Sequence, residues 1–352
     1  MGINNLHKFL KKHCENVYKE THISNYAFKK IAIDTSLYMY KYKACFGDGW
    51  LTAFINLVAT LRKNNIHCIF IYDNGCPAEK IQEREERNAH KEKLEDKAGE
   101  IERDIDLFYQ TNEITPLLKS ISQKDTPDKV KRLLSGNKFN IKDIEKYLKK
   151  VKSQIIYVSE NDFKITRDLF DILGIPYANA ELEAEKTCAQ LCCEGKVDAV
   201  LSEDTDVLAY NTPIFLTKFN SSSDTCCEIN IKEILETIDM TYEQFRDLCI
   251  MCGTDYNKNI FRVGPEKAYD CLIQYGSIEG IKENHSEVDI SVLKHIRVRE
   301  LFSFTNECDI EVKYCKEPNY EKLEEFVFKN NCRVKMERLR ESFSPSKVIF
   351  ED

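Results

Sequence analysis

Seven acidic residues stand out by where they fall. Asp34, Asp73, the pair Glu183 and Glu185, the pair Asp204 and Asp206, and Asp255 each sit at the end of a candidate element or in a tight cluster. Any one of them has an ordinary structural explanation, since Asp favours turns and helix starts and Glu complements the dipole at a helix N-terminus. Seven converging on one edge are another matter, because carboxylates held together without a cation repel strongly. Hard divalent ions bound through carboxylate oxygens relieve that repulsion. Two such ions, about 4 Å apart, activate a water and steady the leaving oxygen in phosphodiester hydrolysis.

The elements that must position these carboxylates are legible nearby. Lys30-Ile31-Ala32-Ile33 runs into Asp34, Cys68-Ile69-Phe70-Ile71-Tyr72 into Asp73, and Ala199-Val200-Leu201-Ser202 into Glu203-Asp204. Near-continuous apolar runs separated by helix-length segments predict buried strands of a parallel sheet. Gln154-Ile155-Ile156-Tyr157-Val158 is a further strand candidate and Ile214-Phe215-Leu216 a weaker one. Helical patterns at 51–61, 162–173 and 184–194 alternate with them. The alternation predicts an α/β fold, a twisted and mainly parallel sheet with helices on both faces, whose ligands bind at the carboxyl ends of the strands. Asp34, Asp73 and Asp204 fall at that edge.

Residues 78–153 have a different character. From Glu79 to Lys93 almost every residue is polar, as expected of a helix that bridges solvent. Lys80, Arg84, Arg87 and Lys91 recur at intervals of four, three and four, which places them on one helical face. Ile141, Ile144, Leu148 and Val151 mark an amphipathic helix, and residues 118–153 hold 11 Lys+Arg against 4 Asp+Glu. Beyond about residue 230 the pattern turns helical. Thr241 with Gln244 three residues on is a helix-start signal. The turn Gly253-Thr254-Asp255-Tyr256-Asn257 and then Val263-Gly264-Pro265 lead into a helix with Ala268 and Leu272. Two helices joined through a Gly-containing turn expose backbone amides suited to a phosphate backbone. Residues 300–352 read as helical and partly basic, with Lys329, Arg333, Lys335, Arg338, Arg340 and Lys347.

Composition bounds the function. The 352 residues carry 51 Lys+Arg and 59 Asp+Glu, a net charge of −8, which argues against a protein that coats nucleic acid generally while leaving room for local basic surfaces. At 42% hydrophobic and 31% charged residues the chain is globular. No stretch approaches the roughly 20 apolar residues of a membrane helix, so no membrane partner is expected. The N-terminus lacks a secretory profile, which predicts an intracellular protein, in the nucleus or at a cytoplasmic replication site. The Met1-Gly2 start has Leu6 where myristoylation needs Ser or Thr. The 15 cysteines, an odd number in a long chain with no signal, predict free thiols. Cys249-Ile250-Met251-Cys252 is the one Cys-x-x-Cys pair, and the seven scattered histidines do not complete a zinc site.

Taken together these motifs resemble the flap endonuclease (XPG-type) family of structure-specific 5′ nucleases. The resemblance rests on Met1-Gly2-Ile3, Ile31-Ala32-Ile33-Asp34-Thr35-Ser36, Tyr72-Asp73-Asn74-Gly75, Glu181-Leu182-Glu183-Ala184-Glu185 and Ser202-Glu203-Asp204-Thr205-Asp206. It continues through Asp247-Leu248-Cys249-Ile250, Gly253-Thr254-Asp255-Tyr256, Val263-Gly264-Pro265 and Glu317-Pro318-Asn319. It implies a nuclease core of the PIN-like type in two parts, 1–77 and 154–235. A helical arch at 78–153, a helix–turn–helix duplex-binding region at 236–300 and a C-terminal helical region at 301–352 complete the expected organisation. It further implies that Asp34, Asp73, Glu183, Glu185, Asp204, Asp206 and Asp255 hold two Mg²⁺ ions, for which Mn²⁺ substitutes. Lys80 and Arg87 correspond to the family's active-site cations, which bind the scissile phosphate and stabilise charge on its oxygens. Tyr40 matches an aromatic residue that stacks on a base, a contact worth about 1–3 kcal/mol. Gly2, Arg84, Lys91, Gly253, Gly264 and Lys267 are the remaining expected DNA contacts.

The departures from the family pattern are informative. Arg262 stands where the helix–turn–helix usually has glycine, which puts a monovalent cation there in question. The stretch between Asp34 and Asp73 is shorter than usual, and the one between Arg87 and Glu183 is longer and basic. The chain stops at Phe350-Glu351-Asp352 without a Gln- and aromatic-containing tail, so the sliding clamp is not an expected partner. The expected activity is Mg²⁺-dependent cleavage of branched or flapped DNA by a monomer in replication and repair. A 5′ exonuclease, a junction-resolving nuclease, an inactive junction-binding protein and an RNA-cleaving relative are the alternatives.

Overall fold

The computed structural model describes residues 2–124 and 139–344. Met1, the basic stretch 125–138, Lys347 and the Phe350–Asp352 terminus lie outside the described residues. The chain divides into two units, Met1–Lys80 with Val158–Asp352, and Ile81–Tyr157.

The first unit is built on a seven-stranded sheet. Its strands are β1 (Lys19–His22), β2 (Lys30–Asp34), β3 (His67–Tyr72), β4 (Tyr177–Asn179), β5 (Ala199–Leu201), β6 (Ile214–Asn220) and β7 (Thr225–Asn230), in the order β1-β7-β6-β5-β2-β3-β4. Five strands from β6 to β4 run parallel, while β7 and β1 are added antiparallel. In register, Ile31 lies opposite both Cys68 and Ala199. Side chains alternate between faces, as the period of two requires. Ile31, Ile33, Cys68, Phe70, Tyr72, Ala199 and Leu201 enter one core with the helices Trp50–Lys63 and Glu160–Leu173. Ala32, Ile69, Ile71 and Val200 enter the other with the helices Leu6–His13 and Ala184–Cys193. Because both faces are covered, the central strands are apolar throughout.

Several expectations need correction. Gln154–Val158 forms no strand: Tyr157 ends one unit and Val158 begins the other, so the run has no sheet neighbour, and β4 supplies the pairing with β3. Strands β1 and β7 pair through largely polar or mixed residues whose pattern does not announce a strand. The region after residue 300 is only partly helical. Residues 304–319 form neither helix nor strand, and the helices are Tyr320–Lys329 and Met336–Phe343. Residues 236–300 and 301–344 share the first unit's cores, through Leu272, Ile278 and Val298 on one side and Leu323, Phe326, Leu339 and Phe343 on the other. The most apolar helical stretch, Thr35–Lys63, reaches membrane-span length by composition. It is interrupted at Gly47–Gly49, and Phe54, Ile55, Leu57 and Val58 are spent on the core.

The second unit is helical. Ile81–Thr111 is a single helix of 31 residues, followed by Pro116–Lys124 and Ile141–Lys152. Ile101, Ile105, Leu118, Ile121 and Ile144 form its own small core. The first turns of the long helix bury nothing before Ala98, as their polar composition predicts.

Candidate active site

Three carboxylates are placed by the sheet itself. Asp34 closes β2 and caps the helix Thr35–Phe46, its Oδ1 accepting from Leu37 N at 3.0 Å. Asp73 follows β3, and its Oδ1 accepts from Ala184 N at 2.8 Å. Asp204 follows β5, its N–H donating to Ser202 Oγ at 3.1 Å and its Oδ1 accepting from Asp206 N at 3.0 Å. Strands β5, β2 and β3 are adjacent and parallel, so their carboxyl ends share one edge. Asp73 anchors the start of the helix Ala184–Cys193, which brings Glu183 at its cap and Glu185 in its first turn to the same place. Asp255 arrives from the turn after the helix Tyr242–Cys252, whose start carries the expected Thr241–Gln244 capping box.

Five of these groups are buried: Asp34, Glu183, Glu185, Asp204 and Asp206, the last 1% exposed. Oxygen atoms of Glu185, Asp204 and Asp206 lie within 4.8 Å of one another. Burial pushes Asp34, Glu185 and Asp206 well above the usual carboxylate range, and repulsion adds to it, from Asp73 on Asp34 and from Asp204 on the other two. Asp204 is raised by burial as well. Both oxygens of Asp206 and Oε1 of Glu185 are buried and accept no hydrogen bond from any described residue. Buried polar atoms are rarely left so. An all-oxygen set of raised, under-satisfied carboxylates fits hard divalent cations.

Lys80 supplies the compensating charge among the described residues. Its Nζ lies 2.7 Å from Glu183 Oε1, 3.1 Å from Asp255 Oδ2 and 3.7 Å from Glu185 Oε1. Burial works to lower this ammonium's pKa, but Glu185, Glu183 and Asp255 together outweigh it and hold the group charged. The expected helical stripe is therefore divided: Lys80 ends a short turn, Ala78–Lys80, and the helix proper begins at Ile81. Arg84, Arg87 and Lys91 belong to the other unit, where Arg87 pairs with Glu83 one turn back and Lys91 lies 5.3 Å above the Tyr157 ring.

Gly2 fits a demand no other residue meets. Its φ is +90°, and a Cβ there would lie 2.1 Å from Asp204 Oδ1 and 2.8 Å from Asp206 Oδ1. The backbone of residue 2 thus lies directly against the carboxylates. Two tyrosines escaped the residue-by-residue reading. Tyr256 donates to Glu183 Oε2 at 2.7 Å, and its hydroxyl lies 3.0 Å from that of Tyr210. Tyr256 adjoins Asp255 in the Gly-Thr-Asp-Tyr turn, which was a signal for it, whereas nothing local pointed to Tyr210.

The remaining candidates lie on the helix after Asp34 and on the elements flanking Asp255. Tyr40 is on the helix begun by Asp34 and is 38% exposed. Gly253 has φ +91° and accepts at its carbonyl from Asn4 N at 3.0 Å. Gly264 caps the helix Pro265–Tyr275, with open space where a Cβ would be, and Lys267 is exposed in that helix's first turn. Arg262 has φ +60°, a conformation glycine adopts freely. Cys249 and Cys252 are buried free thiols.

Comparison with known proteins agrees with this geometry. Residues 1–94 match the XPG N-terminal domain, and residues 174–255 match the XPG I-region. The chain is 36% identical over 331 residues to "Probable RAD2-like endonuclease 076L" of Invertebrate iridescent virus 3, covering 86% of this chain and 85% of that one. It is 30% identical to flap endonuclease 1 of Candida tropicalis over 94% of this chain and 84% of the relative. Among solved structures, the catalytic core of Rad2 in complex with DNA substrate superposes with a TM-score of 0.66, covering 98% of this chain and 99% of that one, at 16% identity, a likeness of fold. The family domains, the relatives and the carboxylates at one sheet edge agree: the chain belongs to the XPG family of structure-specific 5′ nucleases.

Proposed function

We propose that this chain hydrolyses branched DNA, with 5′ flaps as its preferred substrate, using two divalent ions held at the sheet edge. The observation that carries the reading is the buried cluster of Glu185, Asp204 and Asp206, in which both Asp206 oxygens have no donor among the described residues. Asp34, Asp73, Glu183 and Asp255 complete the ligand set. When bound, two Mg²⁺ ions, or Mn²⁺ in their place, supply activation of the attacking water and stabilisation of the leaving oxygen.

The chain's own residues do the rest. Asp34 holds the start of the helix Thr35–Phe46 and Asp73 the start of the helix carrying Glu183 and Glu185, which fixes both against the strand ends. Tyr256 holds Glu183 in place from below. Lys80, anchored between Glu183 and Asp255, offers its ammonium to the scissile phosphate, where positive charge is most useful as negative charge grows on the oxygens. The family resemblance gives Arg87 the same task, and the helical spacing adds Arg84 and Lys91 as candidate DNA contacts. Tyr40 offers a stacking face, and the Gly2 backbone packs against the carboxylates. Gly253, Gly264 and Lys267 present backbone amides and an ammonium to the duplex.

A panel of labelled flap, nicked, gapped and four-way DNA substrates, each with Mg²⁺, with Mn²⁺ and with chelator, tests this reading. Metal-dependent release of the flap strand as the fastest reaction supports it. A faster four-way junction, or stepwise release of mononucleotides at nicks, refutes flap preference in favour of a resolving enzyme or an exonuclease. No metal-dependent cleavage of any substrate refutes the catalytic assignment.

A further inference from the structure

A thiol pair lies at the amino end of β3, away from the carboxylates at its carboxyl end. Cys68 is the second residue of β3 and is buried, while Cys315 is half-buried in the coil 304–319. Strand β4 begins to pair with β3 only at Phe70, whose N–H donates to Pro176 O at 3.1 Å. Two residues earlier the same side of β3 has no strand beside it. Cys315 takes that place: its Sγ accepts from Cys68 N at 3.3 Å and lies 3.5 Å from Cys68 O.

The surroundings hold the coil at this spot. Cys315 N donates to His67 Nδ1 at 3.2 Å, and Arg62 Nη1 approaches the same ring nitrogen at 3.2 Å while donating to Ile66 O at 2.9 Å. Lys316 N donates to Gly174 O and Asn319 N to Ile172 O, each at 2.8 Å. Lys30 Nζ donates to Val312 O at 2.8 Å. Cys315 is thus half-buried, with its sulfur against the backbone of the buried Cys68, on a segment tied at both sides.

We propose that Cys315 and Cys68 form a reversible disulfide, a redox modification site that fastens the coil 304–319 to the central sheet. Thiolate character favours Cys315 as the attacking sulfur. The neighbouring Cys68 side chain brings Cys315 down to about 5 against the opposing effect of burial, with His67, the Cys68 N–H and Arg62 acting in the same direction. By contrast, burial raises Cys14, Cys188, Cys249 and Cys252. The oxidant is a hydroperoxide. The Cys315 thiolate attacks one peroxide oxygen, the O–O bond breaks, and the other oxygen leaves and takes a proton as water or alcohol. The sulfur is now a sulfenic acid. Cys68 sulfur attacks it, the S–S bond forms, the S–O bond breaks, and the departing hydroxide takes the Cys68 proton as water. Two thiols are oxidised by two electrons, and one peroxide is reduced.

The test uses the full chain treated with stoichiometric hydrogen peroxide, blocked with an alkylating agent, and digested without reduction for mass mapping. The expected result is a cross-link between the Cys68 and Cys315 peptides with loss of two hydrogens, reversed by dithiothreitol. It is accompanied by a rise of several degrees in melting temperature. Cys315→Ser abolishes the cross-link and the rise while leaving flap cleavage unchanged. Recovery of Cys68 as a free thiol beside an over-oxidised or unmodified Cys315, or cross-links confined to other cysteines such as Cys45 or Cys193, overturns the proposal without bearing on the nuclease reading.

Discussion

Two clusters of charge lie in the first unit, and they are built on opposite principles. Behind the helix–turn–helix, Arg299 donates to Asp247 at 2.7 and 2.6 Å and to Glu279 at 2.6 and 2.8 Å. Asp247 accepts from Ile278 N at 3.4 Å, and His295 meets Glu279 at 3.0 Å. One planar guanidinium satisfies two carboxylates, and the helices Tyr242–Cys252, Ile278–Asn284 and His295–Leu301 are tied together by it. At the sheet edge Lys80 serves three carboxylates at once, and both oxygens of Asp206 have no donor among the described residues. Matched charge in the first cluster serves the fold. Mismatched charge in the second, among the described residues, is what a site for divalent cations requires.

Substitutions at the two clusters sharpen this contrast. The largest expected effect is on catalysis: Asp206→Asn lowers Mg²⁺-dependent flap cleavage by about a thousandfold or more, since several kcal/mol of metal-derived stabilisation is lost. Its melting temperature in chelator stays level or rises, because a repelling charge has been removed. Single-turnover cleavage and a thermal melt measure both. Arg299→Met does the reverse. It leaves two carboxylates facing each other and costs about 3–5 kcal/mol of stability in a denaturant titration. Flap cleavage per folded molecule is retained.

Lys80→Met is the intermediate case, since Lys80 is both counter-ion and proposed catalytic cation. Cleavage falls by about a hundredfold, the effect of losing one positioned transition-state contact. In chelator the variant melts below the wild type, and Mg²⁺ narrows the gap. A variant equal to wild type in both assays contradicts the dual role.

Acid separates the clusters with the smallest effect. Arg299 holds Glu279 down to about 2 through their hydrogen bonds, so this contribution is intact above about 4.5 and is lost as pH falls toward 2. Glu279 is partly exposed, and screening limits the loss to about 1 kcal/mol. The metal-free sheet edge responds oppositely. Asp34, Glu185 and Asp206 are raised, bind protons more tightly folded than unfolded, and so add stability as pH falls from neutral through their raised values. In chelator, stability against pH should peak on the acid side of neutral in wild type, and that peak should shrink in Asp206→Asn.

The parts of the molecule legible in the sequence are those where one residue type answers one physical demand. Ile31 to Asp34 and Cys68 to Asp73 show apolar runs ending in acid, and the structure places both acids at the strand ends. The Thr241–Gln244 cap was legible for the same reason, since its two halves lie only three residues apart. Strands β1 and β7 escaped because pairing of Thr21 with Cys226, or Glu20 with Cys227, is decided by neighbours distant in sequence. Gln154–Val158 misled because an apolar run between two units looks like a strand until its missing partner is known. Lys80 was assigned by period to a helical face, yet three carboxylates from elsewhere draw it into the site. Tyr210 could be found only in three dimensions.

The central claim is that the sheet edge is completed by divalent cations bound through Asp206 and its neighbours. Melting temperatures of wild type and Asp206→Asn, each in chelator and then in excess Mg²⁺, test it most directly. The account predicts that Mg²⁺ raises the wild-type midpoint and that the asparagine variant shows little or none of that rise. A wild type indifferent to Mg²⁺, or an equal rise in both proteins, would contradict it.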